Sequence, residues 1–238
     1  NGVTAAASGV GATITIPGFG SDAQKNLYAG TGAGNNSDAD TCYNIGLGDC
    51  AGYSLNEGDD NIILGRESGF AITSGGNNIV LGCKAATSMT SGANNIVLGQ
   101  CSIGGATATG DYNIALGYAS GQTITSGNNN VLLGVEAGKN IQGGANNYFV
   151  GNSAGRCNRG DSNIGLGVFA LQGSSTAADN DGDYNIALGC CAGSNITSGS
   201  YNFFSGYQAG VGQTNTSYNI AIGYQAGCSM GLCHNIAM

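Results

Sequence analysis

An asparagine followed by three mostly apolar residues recurs thirteen times, at Asn26, Asn44, Asn61, Asn78, Asn95, Asn113, Asn130, Asn147, Asn163, Asn185, Asn202, Asn219 and Asn235. Eleven of the twelve gaps are 16 to 18 residues long and one, between Asn163 and Asn185, is 22, so the unit is 17 residues with a single insertion. A repeat of this length means that each unit is one supersecondary element stacked on the next. The fourth residue after each Asn is Gly in every complete copy, from Gly30 to Gly223. A bend that never admits a Cβ implies a positive φ or a backbone pressed against its neighbour.

The chain has 45 glycines among 238 residues. Glycine costs about 1 kcal/mol in a helix interior, and no 3.6-residue pattern survives between these glycines, so a helical repeat is excluded. The expected fold is all-β: a parallel β-solenoid, of the β-roll or β-helix kind, with about 17 residues per coil and about 12 coils over 26–238. Residues 1–25, with the alternating "ATITI" at Ala12 to Ile16, are expected to form a cap or a donated strand. A small residue stands three positions after the Gly, as at Ala51, Ser68, Ala85, Ser102, Ser120, Ala137 and Ala154, and marks a tight inner corner. Segments such as "AITSG" from Ala71 and "TITSG" from Thr123 predict a second short β segment per unit. A threonine column is read there at Thr73, Thr90, Thr107, Thr125, Thr197 and Thr214. The asparagines are expected to stack as an amide ladder at one corner, a structural and not a catalytic role.

The apolar triplet sets the faces. Its first and third residues, as at Ile45 and Leu47 or Ile62 and Leu64, share one side of a strand and are uniformly large. That uniformity predicts them as the coil interior. The middle residues Ile63, Val80, Val97, Ala115, Leu132, Phe149, Ala187, Phe204 and Ala221 are then expected to face outward as an oligomer interface, because an apolar face of this extent needs cover.

The net charge of −8, from 14 acidic and 6 basic residues, repels phosphate backbones, so no nucleic-acid partner is expected. No stretch approaches the roughly 20 apolar residues of a membrane helix, so no membrane insertion is expected. The nine cysteines never form a C-x-x-C pair. Buried thiols acting as small hydrophobes are the leading reading, and disulfides in an oxidising compartment the next.

Few residues suggest chemistry. Asp179, Asp181 and Asp183 alternate within the 22-residue gap, an arrangement of hard oxygen donors that makes them candidate Ca2+ ligands; no other cofactor is indicated. A glycan-depolymerising site needs two carboxylates about 5 to 10 Å apart across a groove. Asp59, Asp60, Glu67 and Glu136 are scattered through bends instead, and no nucleophile motif accompanies His234. The expectation is that the chain is not an enzyme. Tyr43, Tyr112, Tyr184, Tyr201 and Tyr218 precede their Asn, and Tyr118, Tyr207 and Tyr224 follow the Gly. Such columns stack either on one another or on sugar rings. Asn35, Asn195 and Asn215 open glycosylation sequons.

"NIALGYASG" from Asn113, "NFFSGYQAG" from Asn202 and "NIAIGYQAG" from Asn219 resemble the repeats of viral and phage tail-fibre proteins, particularly those ending in an endosialidase-type chaperone. They are also similar to the head repeats of trimeric autotransporter adhesins. The resemblance covers about 26–238 and implies a homotrimeric shaft or head displayed on a virion or cell surface. The function expected is a structural attachment fibre on a virion, with a host-surface glycan or receptor as a further partner. The alternatives are an extracellular filament or adhesin assembled end to end, and a depolymerising tailspike.

Overall fold

The computed structural model describes residues 4–8, 11–15, 22–105, 107–174, 180–228 and 233–238. Strands β1 (Thr4–Ser8) and β2 (Gly11–Thr15) pair antiparallel with each other, Thr4 opposite Thr15. Thirteen further strands, β3 (Leu27–Ala29) to β15 (Ile236–Ala237), form one parallel sheet in strict chain order. Register is repeat on repeat: Ile62 lies beside Ile79 and Ile96, Ile63 beside Val80 and Val97, and Leu64 beside Leu81 and Leu98. The described chain is a β-solenoid of about 17 residues per turn, as the period requires.

Each coil contributes a single strand, three residues long in all but β15, and not two β segments. The "AITSG"-type segments run between bends and are tied to their neighbours by single hydrogen bonds, such as Thr73 N–H to the Thr90 carbonyl at 2.9 Å. One isolated bridge, Met89 to Ala108, is all the β pairing this side shows among the described residues. The threonine column also shifts by two residues in one coil. Thr90 bonds to Ala108 and Thr109 bonds to Thr125, so Thr109 takes the place read for Thr107.

Two glycine spines make the stacking possible. Gly82 has φ +132°, and a Cβ built on it would lie 2.8 Å from the carbonyl oxygen of Gly99 in the next coil. The glycine fourteen residues after Asn44, Asn61, Asn78, Asn113, Asn130 and Asn185 is excluded from growth by contact alone: a Cβ on Gly75 would meet the Gly92 oxygen at 2.2 Å. Coils at sheet spacing, about 4.8 Å, leave no room for side chains at these corners.

The core lies behind the sheet, and it inverts the expected faces. Ile63, Val80, Val97, Ala115, Leu132, Phe149, Ala187, Phe204 and Ala221, read from sequence as an oligomer interface, are all 0% exposed within the single chain. They pack on Ala51, Ala85, Ala137 and Ala192 of the small column and on Leu55, Ile72, Met89, Ile124, Ile141 and Ile196 opposite. Strand parity explains the correction. The Asn side chain points inward, so the residue two positions on must point inward too, and the first and third triplet residues point out. The unequal sizes of the middle column are themselves a packing signature. Phe149 fills the space over Gly165, whose Cβ would come within 3.0 Å of its ring, and Tyr28 does the same over Gly46 at 2.7 Å. Close packing conserves summed volume and not residue identity.

Candidate functional site

The first candidate element is the asparagine ladder, and the structure assembles it as a buried column. Asn44, Asn61, Asn78, Asn95, Asn113, Asn130, Asn147, Asn163, Asn185, Asn202 and Asn219 are each at most 2% exposed. The side-chain oxygen of each accepts the backbone N–H of the next Asn at 2.8–3.1 Å. In most coils it also accepts the next Nδ2, as from Asn61 to Asn44 at 3.0 Å. The second Nδ2 proton goes to the spine carbonyl of the same coil, as from Asn113 to Gly127 at 2.9 Å. Asn163 keeps its spine bond, to the Gly182 carbonyl at 2.9 Å, but gives its other Nδ2 proton to Asn158, a buried polar residue in the apolar column, and not to Asn147. Asp22 closes the first coil, its carboxylate accepting the backbone N–H and Nδ2 of Asn26 at 2.8 and 3.1 Å.

A second ladder runs two residues before the asparagines. Asp59 accepts the Cys42 amide at 2.7 Å, Asp111 accepts Ala93 at 2.8 Å, and Asp161 accepts Ala145 at 2.8 Å. Asp183, Ser200 and Ser217 continue it, accepting the amides of Asp161, Asp183 and Ser200. Its sequence signal is an acceptor side chain recurring at one register position. Irregular residue choice, including Gly76, Ala93 and Ala145, breaks the pattern.

This ladder changes the reading of the acidic insertion. Asp179 lies outside the described residues, Asp181 is exposed, and the Asp183 carboxylate is bonded to the Asp161 amide at 2.7 Å. Among the described residues no three metal-ligating side chains converge. Both of the candidate glutamates are also engaged, while Asp60 follows Asp59 in the chain as its neighbour at φ +57°. Glu67 pairs with Lys84 at 3.5 Å, and Glu136 with Lys139 at 2.7 Å and Arg156 at 2.8 Å. The Lys139 hydrogen bond, opposed in part by burial and assisted by the Arg156 charge, holds the Glu136 carboxyl below its usual range.

The outward sheet face is the largest candidate surface. Its floor is the first and third triplet residues, among them Ile62, Ile79 and Leu81, each 37% exposed, and Leu166 and Ile222, at 41% and 44%. Twelve strand spacings of about 4.8 Å make a strip about 58 Å long and, with two side-chain columns, a footprint on the order of 600 Å².

Tyrosines border this strip. In the last coils the rings stack: Tyr184 on Tyr201 at 5.0 Å and 9°, Tyr201 on Tyr218 at 5.1 Å and 3°, and Tyr218 on His234 at 4.9 Å and 8°. Across the strip Tyr207 stacks on Tyr224 at 5.4 Å. Rings stacked in this way use their faces on one another. Tyr43 and Tyr112 differ, because their column neighbours are Lys25 and Asp60, and Asn94 and Asn129, none of them aromatic. They are 62% and 59% exposed.

The cysteines are free thiols, and only Cys157 is buried, so the reading of a buried hydrophobic set holds for one of the nine. The sequon residues Asn35, Asn195 and Asn215 are exposed and lie in the turns, away from the strands. No helix among the described residues is long and apolar enough to cross a membrane. Compared with known families, curated proteins and solved structures, the chain matches no family model, no curated protein and no solved structure.

Proposed function

We propose that the chain is the rod of a structural attachment fibre, displayed on a virion and assembled as a homotrimer whose copies meet through the outward Ile and Leu face. The observation that carries this reading is the apolar strip along a thirteen-stranded parallel sheet, in which Ser205 is the one polar residue among the outward triplet positions. An exposed apolar patch on the scale of several hundred Å² marks an interaction surface, and its footprint approaches the roughly 800 Å² per partner of a stable protein interface. The regular register of the strip favours a copy of the same chain, since a second rod of equal period matches it rung for rung. Paired asparagine and acceptor ladders make the rod stiff, and repeat number sets its length. The resemblance of the repeats to tail-fibre sequences supports placement on a virion. Tyr43 and Tyr112, whose ring faces are not taken by column neighbours, are suited to stacking a host glycan.

Light scattering on the purified chain tests the assembly. The expected mass is three times 23.5 kDa, and Ile79→Glu with Leu81→Glu, which places two charges on the strip, is expected to release folded monomer. A monomeric wild-type chain at micromolar concentration would overturn the proposal.

A further inference from the structure

Cys190 and Cys191 are adjacent in the chain, and their sulfur atoms lie 3.4 Å apart. Adjacent residues in a regular strand point to opposite sides, so this approach needs a backbone bend. The bend is supplied by Gly189 at φ +132° followed by Cys191 at φ +59°. Neighbouring coils hold it, with the Cys191 amide donating to the Val168 carbonyl at 2.9 Å and the Cys190 carbonyl accepting the Gln208 amide at 2.9 Å. Both side chains are partly accessible, and the pair sits at the rim of the outward strip, next to Leu188 of β12 (Ile186–Leu188).

We propose that Cys190 and Cys191 are a modification site: a dithiol that a small-molecule disulfide oxidises reversibly to a vicinal disulfide. One thiolate attacks the small disulfide, forming a mixed disulfide and expelling one thiol. The second cysteine then attacks the protein-bound sulfur and expels the other. The balance is two protein thiols and one small disulfide giving one protein disulfide and two small thiols. The sulfurs need to close only from contact distance, and the held backbone keeps each as the other's nearest partner.

Geometry also makes the product labile. Ordinary disulfides join Cα atoms about 4.4–6.8 Å apart, whereas consecutive Cα atoms across a trans peptide are about 3.8 Å apart. The eight-membered ring is strained, and strained disulfides are the readily reduced ones. Burial, reinforced by the neighbouring sulfur, raises the Cys191 thiol to about 11, which slows its attack at neutral pH and favours oxidation under alkaline conditions.

The test is made on the full reduced chain. It is incubated with oxidised glutathione at pH 8.5, blocked with N-ethylmaleimide and digested with chymotrypsin. The peptide spanning 185–201 is expected to lose both alkylation adducts and to be two hydrogens lighter than its unblocked dithiol form. An excess of reduced glutathione is expected to restore both adducts. Retention of both adducts under conditions that oxidise a model dithiol, or a cross-link from Cys190 or Cys191 to another cysteine, would overturn the proposal. So would a bond that reduced glutathione does not reopen. Because the wild-type chain is measured, a poorly folding variant does not enter the result.

Discussion

Replacing Asn113 with alanine isolates the asparagine ladder at mid-sheet. The substitution removes Nδ2 contacts to Asn95 at 3.1 Å and to the Gly127 carbonyl at 2.9 Å. It also removes the oxygen that accepts the Asn130 N–H at 3.1 Å and Nδ2 at 3.0 Å. These four bonds do not count equally. The Asn95 oxygen keeps the Asn113 backbone N–H, at 2.8 Å, and the Asn130 Nδ2 keeps the Gly144 carbonyl, at 2.8 Å. The Gly127 carbonyl and the Asn130 N–H lose their side-chain partners. A buried polar group left unpaired costs about 1–3 kcal/mol, so two of them give a loss of about 2–6 kcal/mol. Urea unfolding followed by circular dichroism reads the total. Hydrogen exchange reads its location, because the Asn130 amide is expected to exchange far faster while amides several coils away are little changed. A loss below about 1 kcal/mol, with Asn130 still protected, would show that the ladder is a consequence of stacking and not a cause of it.

Other positions give independent tests. Gly99→Ala places a Cβ at φ +142° and 2.4 Å from the Gly117 oxygen, and several kcal/mol of destabilisation are expected by urea unfolding; Gly143→Ala, whose Cβ would meet nothing nearer than Ser126 Oγ at 3.5 Å, is expected to be neutral to slightly stabilising. Ser68 and Ser120 occupy the small column with buried hydroxyls that lack a hydrogen-bond partner, so Ser68→Ala and Ser120→Ala are each expected to raise stability by about 1 kcal/mol, read as an increase in Tm. Val80→Ser, inside the core, is expected to unfold the chain at lower urea, whereas Leu81→Ser is expected to leave unfolding little changed and weaken self-association in light scattering. The Glu136 carboxyl is held below its usual range in the folded chain, so its contribution is present above the unfolded value of about 4.3 and is lost as pH falls through the folded one. The pairs are partly exposed and worth at most about 1 kcal/mol, and Glu136→Gln is expected to remove that small acid-side decline in Tm.

The repeat length, the parallel stack and the identity of the ladder asparagines were legible because each leaves a mark in every copy. Gly30 to Gly206 never vary, since a Cβ there strikes the next coil's backbone, and Gly223 shares their positive φ. Asn44 to Asn219 never vary, since each must satisfy a partner above and below. The acceptor ladder through Asp59, Asp111 and Asp183 left a fainter mark, because aspartate, asparagine and serine oxygens all accept the same amide and some coils have no acceptor at all. The threonine register failed at Thr107 because the coil following Asn95 holds two extra residues before its threonine and one fewer after it, and the net gain of one does not say where a coil absorbs the change.

The amino-acid sequence by itself determined the period, the β-solenoid class and the presence of two apolar faces per strand. Which face is core and which is surface was decided by the tertiary structure. Uniform Ile and Leu suggested an interior, yet the interior is the column that mixes Phe149 with Gly165 and Phe204 with Ala187 and Ala221. A core selects for total volume across several coils, so it tolerates unequal residues that compensate one another. An exposed strip in register with its neighbours repeats the same side chain in nearly every coil. The parity of the buried asparagine fixes the assignment, and that burial follows only once the coil closes around it.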